Sequence, residues 1–92
     1  MPINIYKEEN QEKLAWLCEE LWDLPNQIDA LETWLKEKGS NLKPNKYIAD
    51  IGFEIRDHAS GGGGILSSEA MKIMGKIGMN LYFSEYPNSN NL

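Results

Sequence analysis

Four consecutive glycines at 61–64 constrain what this chain can fold into more than any other feature. Glycine loses more backbone freedom on ordering than any other residue, so a run of four ends a regular element and opens a loop, a hinge or a ligand cradle. Pro25, Gly39 and Pro44 punctuate the rest. Together these breaks divide 92 residues into four segments, with no internal repeat and no linker long enough to separate domains. A chain of this length buries one core.

Each segment carries helical spacing. In the first, about 7 to 23, Leu14, Leu17, Cys18 and Leu21 stand at i, i+3, i+4 and i+7, which predicts an amphipathic helix stopped before Pro25. The second, about 25 to 38, opens on Pro25 or Asn26, aligns Ile28, Leu31 and Leu35, and closes on Lys36 and Lys38 ahead of Gly39. The third, about 44 to 59, sets Ile48, Ile51, Gly52, Ile55 and Ala59 on one side and Phe53 on the other. The fourth has Ser67 as N-cap and Glu69 in its first turn, and carries Ala70, Ile73, Met74, Ile77 and Leu81 inward.

The second half of that fourth segment, MNLYFSEY at 79–86, also alternates well enough for a strand, with Met79, Leu81 and Phe83 on one side. Its only candidate partner is INIY at 3–6, and an isolated two-stranded ribbon is marginal, so helix through about Glu85 is preferred, with a frayed polar tail after Pro87. Trp22 and Trp34 sit at the borders of their apolar stripes, and Met71, Met74 and Met79 read as gap-filling core. The expected fold is all-α: a small antiparallel four-helix bundle forming one helical domain over 1–92, with the glycine-rich loop between helices 3 and 4.

The glycines do not spell a nucleotide site. No Gly-Lys-Ser/Thr closes the run, and Leu66 stands where a dinucleotide loop needs its last glycine. They are therefore expected to be slack between two helices. Asp57, His58 and Ser60 have the residue types of a hydrolytic triad, but lie too close in sequence to form a relay. With one histidine and one cysteine, a zinc site would lack its usual nitrogen and sulfur donors. His58 is read as a favourable charge at a helix end, and Cys18 as a small buried hydrophobe. The expectation is a non-enzyme with no cofactor and no metal.

Charge narrows the partner. Fourteen acidic against nine basic residues give a net charge of −5, which disfavours a nucleic-acid binder and favours a basic protein partner. No apolar run approaches the roughly 20 residues of a membrane span, the N-terminus carries no secretory pattern, and the single cysteine suits a reducing compartment, so a cytoplasmic location is expected.

On a helical wheel, Glu8, Glu12, Glu19 and Asp23 form a narrow strip opposite the leucines, Glu20 adds to the charge, and Trp16 lies at the strip's edge. An indole among carboxylates, away from the core, suits a protein interface. These six residues are the expected partner-binding set. The chain reads as a small acidic inhibitor of the immunity-protein or antitoxin kind that occludes a basic partner. The alternative is a homo-oligomeric structural helical module, such as a homodimer.

Overall fold

The computed structural model describes residues 3–20, 22–55, 57–61 and 63–87. It corrects the all-helical expectation, for only two helices form, and a four-stranded mixed sheet takes the place of the other two. In chain order the elements are β1 (Ile3–Lys7), β2 (Lys13–Leu17), α1 (Leu24–Glu37), a 3-10 turn (Gly39–Asn41), β3 (Tyr47–Glu54), α2 (Ser68–Ile77) and β4 (Met79–Tyr86).

The first expected helix, 7 to 23, is interrupted at Asn10. The Asn10 side-chain carbonyl accepts from the Glu12 amide at 3.0 Å, Gln11 takes a left-handed φ of 54°, and the Lys7 amide closes the turn onto the Glu12 carbonyl at 2.9 Å. An asparagine that bonds its own neighbouring backbone offers a turn in competition with a helix. The flanking residues then pair antiparallel, with Ile3 opposite Leu17 and Ile5 opposite Ala15. Cys18, at φ 57°, ends β2. The leucine spacing that suggested a helix is fortuitous; its last member, Leu21, lies outside the described residues, as do Gly62 and the tail at 88–92.

The third expected helix, 44 to 59, is β3. Tyr47, Ala49 and Ile51 alternate inward in a stretch rich in β-branched and aromatic residues, and Phe53 shares their face. Both neighbours are remote in sequence. Ile3 pairs Ile51 on one side, and Ile51 pairs Phe83 on the other. With β3 available as partner, 79–86 is strand rather than the preferred helix, and α2 stops at Gly78, whose φ of 84° is left-handed. A side chain at Gly78 would collide with the Asn45 carbonyl.

The sheet order is β2-β1-β3-β4, with β1 antiparallel to both neighbours and β4 parallel to β3. Strands β2, β3 and β4 thus run the same way, and the β2-α1-β3 and β3-α2-β4 crossovers step across the sheet in one direction. Crossovers of the usual right hand that step in one direction lie on one face. In accord with this, Ile28, Leu31 and Leu35 of α1 and Ala70, Met74 and Ile77 of α2 join Ile3, Ile5, Ala49 and Ile51 in one core. No helix among the described residues is long and apolar enough to cross a membrane.

The glycine run lies between β3 and α2 rather than between two helices. Gly61 and Gly63 adopt φ of 114° and 116°, which L side chains rarely tolerate, and a Cβ on Gly64 would lie 2.5 Å from Cγ1 of Ile28. Gly64 is thereby laid against α1. The far end of the loop is fixed by Ser67, whose hydroxyl caps the Ala70 amide at 3.1 Å while its own amide and hydroxyl donate to the Glu32 carboxylate at 2.8 and 3.0 Å.

Candidate interaction site

Strand alternation gives the sheet a second face that no described helix covers. Across it runs the register Trp16, Asn4, Asp50, Tyr82. The Trp16 indole donates to the Asn4 side chain at 3.0 Å, the Lys13 ammonium stands 3.5 Å from the centre of the Trp16 ring, and the Ser84 hydroxyl donates to Asp50 at 2.7 Å. Trp16 and Tyr82 remain 45% and 43% exposed, so these bonds organise the face without sealing it. Tyr6, bordering a polar hollow of about 400 Å3 with Asn4, Gln11, Lys13 and Asp50, holds its proton above the usual tyrosine range. Burial is the main cause, followed by the negative charge of Asp50, then Tyr82 and Glu8.

The second feature lies at the carboxyl ends of the three parallel strands. The described residues of β1 end opposite Ile51, and beyond them the Gln27 side-chain amide donates to the Gly52 carbonyl at 2.7 Å and the Glu54 backbone amide to the Trp22 carbonyl at 3.1 Å. This draws the segment after β2 across to the end of β3. There Trp22 meets Tyr86 edge to face, with ring centres 5.7 Å apart and planes at 86°, and Trp22, Glu54, Tyr86 and Pro87 line a cleft of about 450 Å3. In open sheets with parallel strands, the carboxyl ends are where ligands most often bind.

The same end gathers carboxylates. Glu19, Glu20 and Asp23 follow β2, Glu54 and Asp57 lie at the end of β3 and just after it, and Glu85 is near the end of β4. The parallel strand directions bring these three groups to one end. Among the described residues, no group of three or more His, Cys, Asp or Glu is placed to hold a metal ion.

The expected partner-binding set is divided by this geometry. Glu8 and Glu12 lie at the β1–β2 turn and Glu19, Glu20 and Asp23 at the other end of β2, separated by a strand of five residues, or about 16 Å. No continuous acidic strip beside Trp16 exists, because the strip required a helix. Trp16 keeps its exposure on the open face. His58 lies exposed in the loop after β3, not at a helix end. Cys18 is partly buried against the core, its thiol pKa raised by burial and then by Asp23. Sequence reasoning missed Trp22, Glu54, Asp57, Glu85 and Tyr86 as a group. Each stands near the end of an element, and only parallel pairing unites them.

Fold and surface together define a two-layer α/β domain, with one sheet face covered by helices and one left open. No protein-family model matches the chain, and no curated protein or solved structure is significantly similar to it.

Proposed function

We propose that the chain is an acidic protein-interaction module that binds a basic partner through the carboxyl end of its sheet and acts by occluding it, as immunity proteins and antitoxins do, with no catalysis of its own. The observation that carries this reading is the coincidence of charge and aromatic surface. Six carboxylates lie toward the end of the sheet that carries the cleft walled by Trp22 and Tyr86, with Glu54 in its lining, and none of the eight lysines falls within 18–24, 54–61 or 84–87, where Arg56 is the one residue with a permanent positive charge. Carboxylates on adjacent loops raise the local concentration of a basic partner and orient its approach. A tryptophan and a tyrosine at the centre supply the buried anchor from which interfaces draw most of their affinity.

The test is affinity capture from the native host with the wild type and with Glu19→Lys/Glu20→Lys, both exposed turn residues whose exchange leaves the core untouched. A protein of basic surface retained by the wild type, lost by the double variant, and inhibited when the wild type is added supports the reading. A partner held equally by both proteins overturns it.

A second reading rests on β4. Among the described residues this eight-residue strand has no partner on its outer side, and Phe83 is 58% exposed on it. Such an edge is a template for pairing with a second copy, giving a homo-oligomer. Light scattering after size exclusion decides, since this reading requires a dimer that Phe83→Lys converts to monomer.

A further inference from the structure

We infer that the cleft between Trp22 and Tyr86 is a receptor for a single guanidinium group, an arginine side chain presented by the basic partner. This rests on the proposed interaction reading and makes it specific. The cleft combines two kinds of wall. Trp22 and Tyr86 stand at right angles, so the ring that presents its edge keeps both faces out of their mutual contact. Glu54 and Pro87 complete the lining, and Tyr86 is 46% exposed, leaving the cleft open to an entering side chain. A flat cation on an aromatic face and a carboxylate at its edge are the two interactions a guanidinium makes best, and a compact, strongly hydrated ammonium makes the first less well. The Glu54 carboxylate has acceptor capacity for more than one donor, so arginine need not displace what it already holds.

The volume of about 450 Å3 lies within the range of about 300–1,000 Å3 typical of ligand pockets, and the lining is mainly apolar, which suits the flat face of a guanidinium. Charge selects the occupant. Glu19, Glu20 and Asp57 follow β2 and β3 at the same end of the sheet, so the field there repels an anion and gives a neutral side chain nothing. By contrast, the Trp16 ring on the open face is already covered by this chain's own Lys13.

The test is a titration of the full chain, followed by the indole and backbone amide resonances of the 15N-labelled protein. The probes are three capped tripeptides, glycine-X-glycine, with X as arginine, lysine or the neutral isostere citrulline. Arginine is expected to shift the Trp22 indole resonance saturably, lysine at least several-fold more weakly, and citrulline not at all. Glu54→Gln, which keeps side-chain shape, is expected to weaken arginine binding at least five-fold, and Tyr86→Ala to abolish it with the remaining amide spectrum retained. Equal shifts with citrulline, or an unaffected Glu54→Gln, overturn the inference. If arginine moves the Glu19 and Glu20 amides but not the Trp22 indole, the cleft assignment fails and the acidic interaction reading stands. If arginine moves neither, both fall.

Discussion

The two faces of one sheet obey the same alternation and reach opposite ends. Along β3, Tyr47, Ala49 and Ile51 are buried under the helices, while Asp50 and Glu54, on the other face, are drawn into polar or aromatic company. The covered face is mainly aliphatic, with Tyr47 and Trp34 among the buried side chains, and changes in volume there are felt as stability. The open face holds Trp16, Tyr6, Tyr82 and Tyr86 with hydrogen-bonded polar neighbours, a composition closer to an interface than to a core. Apolar burial is concentrated on one face, with Ile48 the buried aliphatic side chain of β3 on the other, where Trp16, Tyr82 and Tyr86 stay accessible.

The largest test of that contrast is a pair of truncations on opposite faces of the adjacent strands β3 and β4. Ile51→Ala, at a fully buried position, should cost about 2–5 kcal/mol in urea denaturation, whereas Tyr82→Ala on the open face should cost no more than about 1 kcal/mol. Comparable losses would mean that the open face is a second core. A smaller effect is expected where the glycine loop meets the covered side. Gly64→Ala forces a Cβ against the β-branched Ile28 on α1 and should destabilise by about 1–3 kcal/mol through overpacking, seen as a lowered Tm. A neutral result would mean that Gly64 is not held against α1.

The smallest effect is electrostatic and confined to the open face. Tyr6 keeps its proton to higher pH in the folded state than in the unfolded chain, where the ordinary value of about 10 applies. Below that pH both states are protonated and Tyr6 contributes no pH dependence. As pH rises from there toward the folded value, the unfolded chain releases a proton that the folded chain retains, so stability falls. Asp50→Asn removes one of the charges responsible and should lower the Tyr6 midpoint in a phenolate absorbance titration, reducing the alkaline loss. An unchanged midpoint would separate Tyr6 from Asp50.

The helices were readable where their signals were local. Ile28, Leu31 and Leu35 with Gly39 after them mark α1, and Ser67 with Glu69 marks the start of α2, because a cap and a stripe act within a few residues of themselves. The strands were not. The spacing of Leu14, Leu17 and Cys18 fits a helix as well as it fits β2, and Ile48, Ile51 and Ile55 mislead in the same way within and beyond β3. What decided between periods was the partner, and Ile51 finds its partners at Ile3 and Phe83. The candidate site was half visible. An exposed tryptophan and an acidic bias were legible, but Trp22, Glu54 and Tyr86 come together only through strand direction.

By itself, then, the sequence determined the net charge, the two helices with the Ser67 cap of the second, and the break at the glycines, all of which depend on neighbours along the chain. Tertiary structure decided that residues 3–17 form a hairpin, that 79–86 lies extended beside β3, and that carboxylates at or after the ends of three parallel strands share one end of the sheet. The physical reason is that a helix satisfies its backbone hydrogen bonds within itself, whereas a strand satisfies them across the sheet, with residues whose position only the whole fold specifies.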